Sequence, residues 1–361
     1  MITSVYIHIP FCDHLCTYCD FAKRFYNEDI VNKYLDALEV EIKEKYQNEL
    51  IKTIYIGGGT PSSLCVNSLQ KLMKVIEIFR LDKNYEFTFE VNPENIDEEK
   101  VLLLKKHGVN RISMGVESTC SKNLKYLGRH HDFKMVKEKV SMIKRNGISN
   151  INIDLIYALP NEKISDLKKD LDNIMKLDIK HISTYSLEIH DHTWLGIKKE
   201  KSIDDNIDSE MYYYICNYLK EKGFNHYEIS NFCKDNYYSH HNMVYWKNNE
   251  YYGFGLGASG YINNIRYTNT RSMYNYINKK RIIYQEKVSK KENISYALIL
   301  GFRLIDGINK KEFKEKYGVL LIKQFNIKDL IKQGYLIDDG LNIKISYDKI
   351  YIENSILENF V

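Results

Sequence analysis

Short apolar runs rich in β-branched residues alternate with longer amphipathic segments through the first half of the chain. The runs have the length of strands, and the longer segments carry apolar residues every three or four positions, which is the helical period. Because parallel neighbours need a long crossover, this alternation predicts a parallel α/β sheet built from six strand-helix units. The predicted strands are Val5 to Ile9, Thr53 to Ile56, Glu86 to Val91, Arg111 to Met114, Asn152 to Ile156 and His181 to Ser186, and the predicted helices are Ile30 to Leu50, Leu64 to Phe79, Asp97 to His107, Phe133 to Asn146 and Ser165 to Leu177.

Two parallel architectures fit this alternation, an open doubly wound sheet and a curved partial barrel, and periodicity does not separate them. Both place ligands at the carboxyl ends of the strands. Polar and glycine-rich motifs fall there: Gly57-Gly-Gly-Thr-Pro61 follows the second strand, Glu90 ends the third, Glu117 follows the fourth and Asp154 lies on the fifth. We therefore expect a ligand site at this edge of the sheet.

The regular alternation stops after about Asp191, which divides the chain into a barrel (1–200), a barrel-closing segment (201–290) and a C-terminal domain (291–361). In the middle segment, Asn206 to Lys222 reads as a helix that ends at a glycine. The glycine-spaced run Tyr252 to Gly257 is expected to pack closely and to cover the open mouth of the barrel.

The C-terminal segment predicts helices near Ile294 to Phe302, Lys310 to Tyr317 and Ile322 to Lys332. A hairpin follows, because Asp339-Gly340 separates two apolar runs and is a turn signal. Helices followed by a hairpin indicate a small α+β winged-helix-like domain. Such domains often bind DNA, but the nearly balanced charge favours packing or partner docking here.

Charge and apolar content narrow the classes of partner. The chain has 52 basic and 48 acidic residues, a formal net charge of +4, which gives no reason to expect nucleic acid. No apolar run approaches the roughly 18 residues of a membrane span, and no cleavable leader is evident. Together with a cysteine content that suits a reducing compartment, this predicts a cytoplasmic protein without a membrane span.

Three of the seven cysteines, Cys12, Cys16 and Cys19, lie within eight residues at the end of the first predicted strand. Three thiolates fit a 4Fe–4S cluster and leave one iron open to a small-molecule ligand, whereas structural zinc normally takes four protein ligands. Half of a zinc site is the alternative interpretation. The remaining cysteines are scattered singly, so such a site has no evident second half.

The Cys-x3-Cys-x2-Cys loop, with Tyr18 before the last cysteine, resembles the signature of the radical SAM superfamily. This resemblance implies a 4Fe–4S cluster held by the three cysteines and S-adenosylmethionine (SAM) chelating the open iron. It also implies a partial (β/α)6 barrel of the TIM type in place of the open sheet. An electron donor for the cluster is then an expected partner.

The chain most resembles the branch of that superfamily that contains oxygen-independent coproporphyrinogen oxidase (HemN) and the haem chaperone family HemW. The matching motifs include Tyr6-Ile-His-Ile-Pro-Phe-Cys12, Ile56-Gly-Gly-Gly-Thr-Pro-Ser62 and Tyr227-Glu-Ile-Ser-Asn-Phe232. Glu117 departs from the glutamine usual in the family; it can accept hydrogen bonds from ribose hydroxyls but cannot donate. The residues that the resemblance places around SAM are Tyr6, Tyr18, Gly58, Gly59, Thr60, Glu90, Glu117, Arg129 and Asp154.

Three features favour HemW over HemN, and one of them is the absence of an extension before the first predicted strand. Phe21 stands where the decarboxylase has a further cysteine, and His241-Asn-Met-Val-Tyr-Trp246 resembles a segment associated with haem binding in HemW. The resemblance implies a chaperone that binds haem, with His241 as a candidate axial ligand, and passes it to an acceptor protein. The alternative is an oxidoreductase of the coproporphyrinogen III dehydrogenase type, so whether the chain is an enzyme stays open.

Overall fold

The computed structural model describes residues 2–361, and its centre is a nine-stranded sheet in which six parallel strands follow one another in chain order. All six predicted strands are confirmed, and most extend by a few residues beyond their predicted ends. We call them barrel strands one to six. Their bounds are Ser4–Ile9, Leu50–Gly58, Arg80–Val91, Arg111–Glu117, Asn150–Tyr157 and His181–Ser186.

Helices cross over between these strands and bury their apolar faces against the sheet. Several begin where the sequence supplies a capping side chain: Asn27, Asp97 and Asp132 each accept a hydrogen bond from a backbone N–H in the first turn. A short helix, Ser121–Leu127, precedes the fourth crossover helix and was not predicted. The five crossover helices are Glu28–Lys45, Val66–Ile76, Glu98–Lys106, Phe133–Arg145 and Ile164–Met175.

The sheet is curved, because side chains from strands two to six line one cavity, and buried polar contacts join neighbouring strands. The side chain of Asn152 on strand five lies 2.6 Å from His181 on strand six and donates to Ser113 on strand four at 2.8 Å. Thr53 on strand two donates to Ser4 on strand one at 2.8 Å. These contacts, together with a cavity that strands two to six line jointly, describe a partial barrel.

The segment 201–290 extends the barrel sheet at both edges. Asn231–Cys233 pairs antiparallel with strand six and with Asn225–Glu228, while Tyr252–Gly255 pairs parallel with strand one. The expectation that Tyr252 to Gly257 covers the barrel mouth is wrong, since this run is an edge strand. The division at 200 and 290 stays a prediction.

The glycines of that edge strand permit a close backbone approach, as expected. Gly255 has a φ of +100°, and a Cβ there would lie 2.5 Å from the Tyr34 hydroxyl. An L side chain is therefore excluded on both conformational and steric grounds.

The remaining elements of the segment form a smaller antiparallel sheet and short helices beside the barrel. The sheet runs in the order Ser259–Ile262, Ile265–Asn269, Ile282–Lys287. The helices of the segment are Asp205–Glu221, His240–Trp246 and Met273–Ile277, and the one-turn helix Trp194–Ile197 precedes it.

The C-terminal segment has the predicted helices and hairpin with one exception. The helix expected at Ile322 to Lys332 begins only at residue 327, because Phe325 has a φ of +42° and interrupts it. The hairpin turns at Asp339-Gly340, and its second strand also pairs with a two-residue strand. The elements are Lys290–Gly301, Ile308–Asn309, Lys310–Tyr317, Ile327–Lys332, Leu336–Asp338, Asn342–Ile345 and Glu353–Leu357.

Across residues 2–361, no helix combines the length and the apolarity required to cross a bilayer.

Glu41 joins the first crossover helix to the edge strand and the smaller sheet. Its side chain is fully buried and accepts hydrogen bonds from the Gly255 amide at 3.0 Å, the Asn269 side chain at 2.8 Å and the Tyr276 hydroxyl at 2.6 Å. Lys45 supplies the compensating charge at 2.7 Å. In the sequence, this contact is indicated only by the presence of a charged residue, Glu41, on the apolar face of a helix.

We expect Glu41→Ala to lower the free energy of unfolding by about 3 kcal/mol, since it leaves several buried donors and a cation unpaired. Urea unfolding followed by circular dichroism measures this. Glu39→Ala on the same helix is the matched control, because Glu39 forms only an exposed pair with Lys43 and should cost less than about 1 kcal/mol. Equal effects of the two substitutions would contradict a structural role for Glu41.

Candidate functional site

The three clustered cysteines lie in a loop that follows barrel strand one. Backbone hydrogen bonds close the loop, from Arg24 N to the Pro10 carbonyl at 2.6 Å and from Tyr26 N to the Cys12 carbonyl at 3.0 Å. His8 reaches the Ala22 carbonyl with its Nε2 at 2.7 Å. The loop is therefore held at both ends before any ligand binds.

All three cysteines are free thiols that line one cavity. Thr60 Oγ1 donates to Cys12 Sγ at 3.5 Å, and Arg129 Nη1 donates to Cys16 Sγ at 3.7 Å. In residues 2–361 no three His, Cys, Asp or Glu side chains converge closely enough to hold a single metal ion. A cluster in which each thiolate binds a different iron needs no such convergence, so the loop fits a cluster better than a single zinc ion.

Burial raises the pKa of Cys12 to about 11 and that of Cys19 above its ordinary value. Both thiols are therefore protonated at neutral pH until a positive charge lowers their pKa. Iron ions bound by these residues would supply that charge, because coordination deprotonates a thiol.

Three carboxyl groups, those of Glu90, Glu117 and Asp154, face the same cavity from strands three, four and five. Removal from bulk water raises the pKa of Glu90 and of Glu117 to about 7 and raises that of Asp154 as well. The carboxyl groups also raise one another's pKa by repulsion. A cationic ligand between them would relieve this repulsion.

The Glu90 carboxyl is fixed by the glycine motif of strand two. It accepts from the Gly58 amide at 3.0 Å and from the Tyr55 hydroxyl at 2.8 Å. A Cβ on Gly57 would lie 2.6 Å from the Glu90 carboxyl carbon, and one on Gly59 would lie 2.9 Å from Cys12 Sγ. The first and third glycines thus bring the carboxyl and the cysteine loop against one strand end.

Glu117 reaches the cavity through an irregularity at the end of strand four. The register with strand five shifts between Gly115 and Glu117, and Glu117 itself has a φ of +64°. A left-handed conformation is unfavourable for a glutamate and is typical of residues whose side chain must be aimed at a site.

Arg129 is the cation that faces Glu117, whereas Glu90 and Asp154 are influenced by Arg111. Its Nη2 donates to the Gly115 carbonyl, its Nη2 lies 3.8 Å from Glu94, and its buried Nε has no hydrogen-bond partner. A buried donor without a partner is costly, which suits a ligand that brings an acceptor such as a carboxylate.

The cavity has a volume of about 590 Å³ and contains eight of the nine residues predicted around SAM. A zwitterionic sulfonium nucleoside fits its chemistry: the acids suit its two cationic groups and the unpartnered Nε of Arg129 suits its carboxylate. The residues that line it as predicted are Cys12, Cys16, Tyr18, Cys19, Gly58, Gly59, Thr60, Glu90, Glu117, Arg129 and Asp154.

Tyr6 does not line the cavity, contrary to expectation. Its ring faces the interior of the barrel, level with Tyr55, but its hydroxyl lies 3.0 Å from His8 Nδ1. Tyr55 occupies the corresponding place on the cavity wall and was missed. The alternation of strand two could have indicated it, since Tyr55 lies two residues before Gly57 and so faces the same side.

His241 does not line this cavity but lies on its amino-end side, where its ring centroid is 5.3 Å from that of Tyr55. Its ring is fully buried, with Nδ1 2.9 Å from Thr53 Oγ1 and Nε2 2.7 Å from the Tyr245 hydroxyl. Burial lowers the pKa of His241 to about 3. In this conformation neither ring nitrogen is free for haem iron, so the predicted ligand role requires helix His240–Trp246 to leave the barrel.

Two family models and one solved structure define the class of this protein. Residues 6–174 match the family model described as Radical SAM superfamily, and residues 288–346 match the HemN C-terminal domain. The solved structure of coproporphyrinogen III oxidase (HemN) from Escherichia coli superimposes with a TM-score of 0.87 over 99% of this chain and 90% of that one, at 20% identity. This likeness confirms the fold of a radical SAM protein, a class that holds a 4Fe–4S cluster and SAM.

Full-length relatives define the family within that class. The chain is 38% identical to Heme chaperone HemW of Lactococcus lactis over 99% of its own length and 97% of that protein. The HemW proteins of Bacillus subtilis and Escherichia coli are 36% and 30% identical, over 99% of this chain and 99% and 98% of theirs. The chain belongs to the HemW family.

We expect SAM to bind more tightly as the pH rises through about 7, because Glu90 must lose its proton to attract a cation. Glu90→Gln should reduce this pH-dependent component to the part that Glu117 contributes and weaken binding at high pH about tenfold or more, the usual cost of a charged hydrogen bond. Isothermal titration calorimetry across this range measures both effects.

Glu162→Gln is the matched control. Burial also raises the pKa of Glu162 to about 7, but its carboxyl accepts from Asn123 outside this cavity. A wild-type pH profile in Glu90→Gln, or an altered one in Glu162→Gln, would show that Glu90 does not face the ligand.

Proposed function

We propose that the chain is a haem chaperone, which binds haem, carries a SAM-ligated 4Fe–4S cluster and passes haem to an acceptor protein. The observation that carries this proposal is similarity over the whole length to proteins named Heme chaperone HemW in three organisms. Neither the barrel nor the cysteine loop distinguishes a chaperone from an enzyme, since radical SAM proteins in general share them.

The cluster is proposed to bind Cys12, Cys16 and Cys19. These thiols come from a loop fixed on barrel strand one, and Thr60 and Arg129 already donate hydrogen bonds to two of the sulfur atoms. Such donors stabilise the negative charge of a coordinated thiolate and tune its potential. The chemistry that the cluster supplies when bound is one-electron reduction, for which an electron-donor protein is a further proposed partner.

The residues proposed to bind SAM contact different charged groups of the ligand. Arg129 is proposed to hold the carboxylate, while Glu90 and Asp154 accept hydrogen bonds from the amino group and the ribose. Glu117 adds an acceptor beside Tyr18 and Arg129, in a place where a glutamine would also donate. Gly58, Gly59 and Thr60 offer backbone edges against which the ligand can pack closely.

Oxidative decarboxylation of coproporphyrinogen III is the competing function. The likeness to HemN bears on the fold only, at 20% identity. Phe21, which stands at the position of a further cysteine in the decarboxylase, lines the cavity mouth. Turnover of coproporphyrinogen III by the reduced, reconstituted protein would favour the decarboxylase over the chaperone.

We expect Cys16→Ala to lose the brown absorbance of the cluster together with most of its iron and acid-labile sulfide, because two thiolates do not hold a cubane. Anaerobic reconstitution followed by metal analysis measures this. Cys120→Ala is the control, since Cys120 is likewise half-buried but lies outside the cavity. A full iron content in Cys16→Ala would overturn the ligand assignment.

The reconstituted protein should bind haem saturably at one site and release it to an apoprotein that binds haem more tightly. Titration followed at the Soret band gives the stoichiometry, and haem transfer to apomyoglobin gives the release. Bovine serum albumin treated in the same way is a reference for adventitious binding. Binding no tighter than that of albumin, or without saturation, would contradict the chaperone function.

A further inference from the structure

The mouth of the SAM cavity carries side chains that the cluster and SAM do not account for. Phe21, Lys23, His190 and Arg271 all lie on the cavity lining. Phe21 is 66% exposed, so an apolar ring faces solvent at the opening. Arg271 is 59% exposed, so two cations and an apolar ring frame the opening.

Two histidines with accessible side chains line this mouth, and the ring of His14 packs against His130 at 4.5 Å between centroids, which leaves His190 as the candidate. Its side chain is 42% exposed, and its only ionic contact is with Glu188, whose carboxyl lies 3.4 Å from Nε2 and is itself 80% exposed. An exposed contact of this kind is worth little and breaks readily. His192, two residues later, is instead held by Asp20, which also lies 3.7 Å from Arg271.

His241 differs from His190 both in burial and in the strength of its contacts. It is enclosed at the amino end of the barrel, its two ring nitrogens are engaged, and Glu86 accepts hydrogen bonds from the backbone amides of residues 240 and 241 at 3.0 Å. Binding haem there would break these bonds and unseat the helix. Binding at the mouth would break only the exposed Glu188 contact.

We propose that haem docks at the mouth of the SAM cavity with His190 as an axial ligand of its iron. The proposal rests on the proposed haem-chaperone function and names its site. Imidazole is the commonest protein ligand of haem iron, and the exposed ring of Phe21 offers apolar surface to the macrocycle. Lys23 and Arg271 provide cations for the two propionates.

The contacts of Lys23 are compatible with this role. Its ammonium donates to the Cys19 carbonyl and has three hydrogens, so it can bind a propionate without leaving the loop. The cavity volume of about 590 Å³ is taken by cofactor, which leaves haem partly exposed at the opening. An exposed haem suits transfer, because an acceptor protein can reach it without unfolding the barrel.

The test is haem titration into the reconstituted, SAM-loaded protein and three variants, His190→Ala, His192→Ala and His241→Ala. We expect His190→Ala to weaken binding by at least about tenfold, and the other two to bind as the wild type does. His190→Cys should bind haem with the shifted Soret band of a thiolate-ligated ferric iron. Circular dichroism of each variant confirms that it is folded.

The outcomes separate the two proposals. Wild-type affinity and an unshifted Soret band in the His190 variants would overturn the assignment of His190 while leaving haem binding intact. Loss of binding in His241→Ala alone would place the haem at the other end of the barrel. Absence of specific binding by the wild type would overturn the proposed function itself.

Discussion

The enclosure of three carboxyl groups in one cavity, away from bulk water, is the constraint on which the site depends. Glu90, Glu117 and Asp154 reach this space from neighbouring parallel strands, so the register of the sheet fixes their separation. Their raised pKa values express the cost of removing charge from water with too few nearby cations. Hydrogen bonds from Tyr55, Gly58 and neighbouring side chains reduce this cost, and a cationic ligand would reduce it further.

The two ends of the barrel consequently differ in kind. At the carboxyl end, the cysteine loop, the acids and Arg129 surround an open cavity. At the amino end, helix His240–Trp246 closes the interior with buried hydrogen bonds and packed rings, such as Tyr55 and His241 at 5.3 Å between centroids. We therefore place both the cluster and the haem at the carboxyl end.

The sequence was sufficient for features that depend on local pattern. The six strands and their helices follow from periodicity, and the cysteine loop follows from spacing. The conformation of Phe325, which shortens a predicted helix, has no such signature, because β- and helix-forming residues rarely adopt a positive φ. The pairing of Tyr252–Gly255 with strand one could not be predicted from the sequence either, because it joins segments far apart in the chain.

In the site, too, local motifs were predictable and tertiary packing was not. Eight of the nine predicted SAM residues share a cavity because motifs at strand ends meet at one edge of a parallel sheet. Tyr6 was assigned to the SAM site by family resemblance; its hydroxyl turns towards His8 here, and its role stays a prediction. His241 was read as a ligand from its motif, and only the packing of Thr53 and Tyr245 around it reveals the sealed ring.

Iron anomalous diffraction from crystals of the reconstituted, haem-loaded protein tests most directly whether cluster and haem share one end of the barrel. The account predicts cluster density against Cys12, Cys16 and Cys19 and a separate iron peak at the cavity mouth, bonded to Nε2 or Nδ1 of His190. An iron peak bonded to His241, with helix His240–Trp246 displaced from the barrel, would contradict it.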